Sequence, residues 1–411
     1  MMSEWVTRRI SDIAEVVAGG TPSTSVAEYW DGDVSWITPN DLSNHKERYI
    51  FRGERNITKE GLRKSAAKTV PPNTLLITTR APIGYLAIAN KDVSTNQGFK
   101  NLICDNTQVD YRFLYYYIKL NVEHFKAFAS GATFPELSGG TLKKVKIAIP
   151  PLPKQTRIAD ILSAYDDAIE NNNRRIALLE KAARELYREW FVRMRFPGHE
   201  SARFVGGLPE GWEVVLFGTL ADIIDGDRGV NYPKQDEFSP EGYCLFLNAG
   251  NVTKSGFDFS NNAFITEGRD KALRKGRLNR NDIVLTTRGT VGNVAFYNRY
   301  IPYDVLRINS GMVILRDSGE APPEFLYITL RSDVVQKMIE LFSSGSAQPQ
   351  LPIKDMRKMK IIKPSGELLT QFANIAENTL NQAALLQTKS QNLARQRDLL
   401  LPRLMSGKLE V

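Results

Sequence analysis

From Thr156 to Met194 the chain contains neither Pro nor Gly. Its seam positions recur at alternating steps of four and three: Ile158, Leu162, Tyr165, Ile169, Asn172, Ile176, Leu179, Ala183, Leu186 and Trp190. This is a heptad seam with one polar member, Asn172, and it predicts a helix over 156–193 with a single apolar stripe. A second stretch, 370–405, carries Phe372, Ala376, Ala383, Leu386, Leu393, Leu400 and Leu404 in the same register, weakened by Thr379, Ser390 and Arg397. About 36 helical residues span roughly 54 Å, too long to be buried in one small domain. Such a helix needs a partner of matching length. Two arrangements meet that need. Each helix lies on its own domain, or the two pair antiparallel into a coiled coil with the globular parts at opposite ends. Equal length and equivalent position favour the pair. Its expected seam contacts are Ile158, Leu162, Ile169, Ile176, Leu179 and Leu186, with Phe372, Leu386, Leu393 and Leu400 on the second helix. Asn172 either fixes the register or faces solvent.

Outside the helices the period shortens. "NTLLITTRAPIGYLAIAN" (73–90) and "NDIVLTTRGTVGNVAFYN" (281–298) both read as strand, turn, strand, with apolar runs flanking a Gly/Pro break. They match at seven of 18 positions without a gap, where ordinary residue usage gives about one. A second pair, "SGATFPELSGGTLKKVKIAIPP" from Ser130 and "SGSAQPQLPIKDMRKMKIIKPS" from Ser344, matches at eight of 22. Weaker echoes keep the same order: "IAEVVAGG" with "LADIIDGD", "FLYYY" with "FLYIT", "NQG" with "NSG". The unit repeated is about 200 residues, far longer than a solenoid repeat. The expectation is two similar mixed α/β domains in tandem, each followed by a long helix. Residues 33–42 read as a further strand, and 112–129 and 323–342 have helical period.

The formal net charge is +8 and the pI about 9.2, which favours an anionic partner, with nucleic acid first. No apolar run approaches membrane-spanning length. "MMSEWVTRRISDIAEVV" lacks a secretory h-region, and Cys104 and Cys244 are not equivalent in the two copies, so a cytoplasmic home is expected. Catalytic signatures are missing. There is no phosphate-binding Gly loop opening a helix. His45, His124 and His199 are scattered, and "PPNT" and "PPLP" are not methyltransferase tetrapeptides. No cofactor or metal is expected. Polar loops recur instead. Arg80 and Arg288 hold equivalent turns, and 268–282 carries six basic residues, among them Arg269, Arg274 and Lys275. Arg reads guanine edges and Lys/Arg grip phosphates. The competing readings are a structural turn anchor for the two arginines and a solvated face for the basic stretch.

The chain resembles the specificity (S) subunit of type I restriction–modification systems. The resemblance spans essentially the whole sequence. It rests on "GGTPSTSVAEYWDGDVSWITPNDL" (19–42), "TTRAPIGYLAI" (78–88), "STNQGFKNL" (94–102), "IPPLPKQTRIADILSAYDDAIENN" (149–172), "LYREWFVRMRFPG" (186–198) and "LPEGWE" (208–213). It implies a first target-recognition domain (1–154), a first conserved helix (155–195), a linker and second recognition domain (196–368) and a second conserved helix (369–411). It also implies a non-catalytic subunit that binds double-stranded DNA at a bipartite asymmetric site, beside two modification (methyltransferase) subunits and motor/nuclease subunits. Thr21 and Lys100, which lie in two of these motifs, join Arg80, Arg269, Arg274, Lys275 and Arg288 as DNA-contact candidates. "DGDRGVNYPKQDEF" (225–238) departs from "GGTPSTSVAEYWDG", so the two domains should read different sequences. The alternatives are a nuclease or methyltransferase with a hidden acidic site, and a coiled-coil scaffold that binds protein only.

Overall fold

The computed structural model describes residues 5–411 apart from 44, 81, 132, 134 and 346–348. The chain divides into two compact units. One comprises the residues up to Asn171 together with Gln391–Val411; the other is Asn172–Ser390.

The first unit is built on a five-stranded sheet in the order Ala14–Ala18, Phe99–Cys104, Leu75–Thr78, Leu86–Ala89, Tyr49–Ile50. All pairs are antiparallel except the last. Leu75–Thr78 is buried throughout. A strand covered on both faces reads as a continuous apolar run, which is why "LLIT" shows no alternation. A second sheet holds Asn56–Ile57, Trp30–Ile37, Val93–Thr95 and Thr69–Val70, and a ribbon joins Val6–Arg9 to Lys146–Ile149. The chain does not continue as a strand through 42. A helix, Pro39–Ser43, follows Trp30–Ile37, and the Asp41 carboxylate accepts both the backbone N–H and the hydroxyl of Thr38 at 2.7 Å. That local bond closes a turn where propensity alone suggests extension.

The second unit repeats the plan. Its main sheet runs Ala221–Asp225, Met312–Asp317, Ile283–Thr286, Val294–Phe296, its smaller sheet Phe264–Ile265, Cys244–Leu247, Leu306–Ile308, and its ribbon pairs Glu213–Leu216 with Lys360–Lys363. The repeat extends to backbone conformation. Asn73 and Asn281, which open the two matched segments, have φ of +67° and +73°, a left-handed state that Asn tolerates better than most residues.

Two long helices, Leu152–Tyr187 and Gly366–Met405, follow the ribbons, the first continued by a π-helical turn at Arg188–Val192. Both begin about four residues before the expected start; in the first, Pro153 sits in the first turn, where its missing N–H leaves no intrahelical bond unmade. In the first unit Ile158, Ala159 and Leu162 share a core with Leu401, Leu404 and Met405. In the second, Ala183, Tyr187 and Trp190 share one with Leu369, Phe372, Ala376 and Leu380. In each unit an early segment of one helix therefore meets a late segment of the other, which is antiparallel pairing. Of the other expected seam positions, Leu386 is buried, while Ile169, Ile176, Leu179, Leu186, Leu393 and Leu400 are half-buried.

The two pairings differ chemically. In the first unit Asp166 accepts hydrogen bonds from Arg397 and, at 2.5 Å, from the Tyr116 hydroxyl. Arg48, only 4 % exposed, lies 3.8 Å from the same carboxylate and pairs with Asp167 and, at 3.1 Å, with Glu170. Burial first, then the Asp166 charge, push the Tyr116 phenol well above its usual range, so it stays a donor. In repeat register Asp166 and Arg397 correspond to Leu380 and Ala183, both members of the second unit's core. Removing one partner of a buried ion pair leaves an uncompensated charge. Asp166→Ala should therefore lower the unfolding free energy by about 3–5 kcal/mol in urea titrations. Leu178→Ala, at a site 66 % exposed, should stay within about 0.5 kcal/mol of the unsubstituted chain.

Candidate nucleic-acid interface

At the end of an interior strand of each main sheet, Leu75–Thr78 and Ile283–Thr286, a Thr-Thr-Arg turn is bonded the same way twice. The Thr78 hydroxyl donates to the Pro82 carbonyl at 2.7 Å and accepts from the Tyr85 N–H at 2.8 Å. The Thr286 hydroxyl donates to the Thr290 carbonyl and accepts from the Asn293 N–H at 3.0 Å. The next threonine ties the turn to a neighbouring loop. Thr79 N–H and hydroxyl reach the Gly98 carbonyl at 2.7 and 3.3 Å, and those of Thr287 reach Gly311 at 2.8 and 3.1 Å. The Thr79 carbonyl accepts from Leu137 N–H at 2.9 Å, and that of Thr287 from Leu351 N–H at 3.0 Å. This second bond draws in the Gly/Ser/Pro loops, where Ser130 exchanges two backbone bonds with Glu136 and Ser344 does so with Gln350. The matched glycines Gly84 and Gly292, φ +99° and +94°, close the turns, a conformation that side chains disfavour.

The backbone cradle is shared, but the side chains it presents differ. In the first unit the half-exposed Arg80 meets Glu136 at 3.0 Å, and the buried Lys100 reaches the other carboxylate oxygen at 3.5 Å. Thr21 donates its hydroxyl to the Gln97 side-chain oxygen. In the second unit Arg288 bridges Gln350 through the backbone, and among the described residues no carboxylate pairs with it. Val313 stands in the place of Lys100. Burial alone would raise the Glu136 pKa, but the hydrogen bond from Arg80, aided by the Arg80 and Lys100 charges, outweighs it and holds the carboxyl below its ordinary value.

The basic stretch 268–282 divides into two groups. Arg269 pairs with Glu237, Lys271 with Glu267 at 2.8 Å, Arg277 with Asp270 at 3.2 Å and Arg280 with Asp304 at 2.8 Å. Arg274 and Lys275 instead line an open recess of about 500 Å³ with the loop Asp225–Asn231, and among the described residues neither side chain meets a carboxylate. The structure thus brings Arg80 and Lys100 together at one carboxylate and Arg274 and Lys275 together at one recess. One exposed cation escaped the sequence reading. Arg228 faces the recess at the position Thr21 holds in the first unit. The signal for it was the register of "IAEVVAGG" with "LADIIDGD", carried one residue past the matching segment.

Known proteins share this organisation. A family model described as the type I restriction modification DNA specificity domain matches residues 2–181 and again 209–395. The type I restriction enzyme MjaIX specificity subunit of Methanocaldococcus jannaschii is 35% identical over 416 residues, which cover 99% of this chain and 94% of that protein. The MjaVIII specificity subunit of the same organism is 24% identical over 417 residues, covering 99% and 93%. The crystal structure of the type I restriction–modification S subunit from M. genitalium superposes with a TM-score of 0.62 at 20% identity, covering 97% of this chain and 96% of that one.

A group whose pKa is lowered by folding contributes stability above its unfolded pKa and loses it as pH falls through the folded value. The contribution of Glu136 should therefore be complete above the usual glutamate pKa of about 4.3 and vanish in stronger acid. Urea titrations of the parent chain and Glu136→Gln at a series of pH values should differ at neutral pH and converge once the carboxyl is protonated.

Proposed function

The chain belongs to the type I restriction–modification DNA specificity family, and from that premise we propose that its two cradles are two separate readers of double-stranded DNA. The observation that carries this is the twice-built Thr-Thr-Arg scaffold, which shares its threonine bonds and differs in the side chains it presents. Phosphate contacts place a protein on the duplex, and base contacts specify. Residues common to both copies, Arg80 and Arg288, suit the shared placing role. Residues that differ, Thr21 against Arg228 and Glu136 against Gln350, suit the reading of different bases. A bipartite, asymmetric target with a fixed unread gap follows from two unlike readers in one chain.

In this account the chain supplies recognition and no chemistry. Methyl transfer belongs to two modification subunits and DNA translocation and cleavage to restriction subunits. The long helices hold the assembly through Ile158, Leu162, Ile169, Ile176, Leu179 and Leu186 on one side and Phe372, Leu386, Leu393 and Leu400 on the other. The outward leucines Leu178, Leu385 and Leu399, each about half exposed or more, offer apolar docking positions to those partners.

The test is to express the chain with its modification subunits in cells free of other adenine methyltransferases and to read the methylated sites across the genome. One split, asymmetric motif is expected. Replacing residues 1–154 with the first domain of another family member should change one half of the motif and leave the gap and the other half intact. A continuous or palindromic motif, or a swap that alters both halves, contradicts the two-reader account. Arg80→Ala and Arg288→Ala should each weaken duplex binding by the purified complex about five-fold or more and flatten its salt dependence, because a lost phosphate contact releases one counterion fewer.

A further inference from the structure

The register of the main sheets equates two loops that look unrelated in sequence. Ala18 pairs with Lys100 in the first unit, and Asp225 with Val313 in the second. The next residue is glycine in both, for the same steric reason. A Cβ on Gly19 would lie 2.0 Å from the Asn96 carbonyl oxygen, and one on Gly226 2.2 Å from that of Asn309. Two residues further on, Thr21 in one unit corresponds to Arg228 in the other. Their partners correspond too: Thr21 meets Gln97, and Arg228 donates to the carbonyl of Ser310, the residue in Gln97's place, at 3.4 Å.

The loop around Arg228 is braced from within. The Asp227 carboxylate accepts the Arg228 N–H at 2.8 Å and the Arg274 N–H at 2.6 Å, which ties the loop to the segment carrying the other two cations. Asp225 takes the Arg228 guanidinium at 3.1 Å through Nη2. Among the described residues Nε and Nη1 have no partner, and the side chain is half exposed. Past it the loop rises through Gly229 to Val230, which is 97 % exposed. Both acids of the loop are thus spent internally, and the recess presents three cations outward.

Resting on the DNA-reading function above, we propose that Arg228 is a specificity-determining residue of the second half-site that reads a guanine, while Arg274 and Lys275 grip the neighbouring phosphates. The division of roles follows from charge. Asp225 behind Arg228 repels a phosphate but leaves a contact with the neutral acceptors O6 and N7 of guanine intact. When Nη2 gives up its 3.4 Å contact with the Ser310 carbonyl, it offers those two atoms, together with Nε or Nη1, a planar fork that no ammonium can. Asp227 holds the Arg274 backbone N–H, but among the described residues the Arg274 and Lys275 side chains pair with no carboxylate and act as plain positive charges toward the DNA backbone.

The experiment uses the full complex with its modification subunits and two readouts: the methylated motif in cells, and competition binding to duplexes that differ from the motif at single base pairs. Arg228→Ala should relax one G·C pair of the second half-site. Discrimination there should fall roughly 5- to 150-fold, with the first half-site and the gap unchanged. Arg228→Lys should lose most of the same discrimination, because the fork is gone while the charge remains. Arg274→Ala with Lys275→Ala should weaken all duplexes alike and reduce the slope of log affinity against log salt by about two. Uniform weakening by Arg228→Ala, or an unaltered preference at every pair, overturns the proposal. Should Arg228→Ala abolish methylation in cells, the competition series still decides between the two outcomes. If the unsubstituted complex shows no motif that depends on this chain, the DNA-reading function itself fails, and Arg228 with it.

Discussion

In each unit the loops that matter hang from one short turn. In the first, Gly98 offers its carbonyl to Thr79, and Thr79 in turn holds Leu137. In the second, Gly311 takes Thr287 and the N–H of Arg288, while Thr287 holds Leu351 and the adjoining Ser310 takes Arg228. The turn is itself pinned by a half-buried asparagine bond, the Asn96 or Asn309 side-chain oxygen accepting the glycine N–H at 2.9 Å. Buried backbone groups must be paired, and here the pairing also aims side chains. With the backbone satisfied internally, the exposed positions are free to change. A glutamate can become a glutamine, or a threonine an arginine, without disturbing the cradle.

The same freedom does not extend to the helix pairing, where each change needs an answering change. Asp166 in the first unit is tolerated because Arg48, Arg397 and Tyr116 surround it, and Arg397 is tolerated because Asp166 is there. The corresponding positions in the second unit, Leu380 and Ala183, are apolar together. Charged or apolar, both solutions bury the pair; a mixture would bury an unpaired charge at a cost of several kcal/mol. The two copies have diverged by compensated steps in the core and by free substitution in the loops.

Much of this was legible in the sequence because the relevant signals are local or repeated. The heptad spacing marks the two long helices, and the matched Asn, Thr, Thr and Gly mark the turns, since each is demanded by a hydrogen bond of the turn or a positive φ. What escaped depends on partners far along the chain. Arg397 looks like a flaw in an apolar seam until Asp166, 231 residues away, is placed against it. Ser390 and Thr379 interrupt the same seam, yet Ser390 is buried and Thr379 donates to the Ile375 carbonyl one turn back. Within the basic stretch nothing local separates Arg277, consumed by Asp270, from Arg274, which is not. Arg228 lies one residue past the matched segments "IAEVVAGG" and "LADIIDGD", in a loop unlike its counterpart, so its equivalence to Thr21 rests on register carried from the neighbouring strand.

The central claim is that one scaffold carries two interchangeable sets of reading side chains, and the direct measurement is a transplant. Thr21→Arg, Gln97→Ser and Glu136→Gln together give the first domain the side chains of the second at three equivalent positions. With the complex assembled normally, the methylated motif should keep its gap and second half while the first half shifts toward the bases of the second. A first half-site that stays as it was, in a complex that still methylates, would show that these positions do not read the DNA.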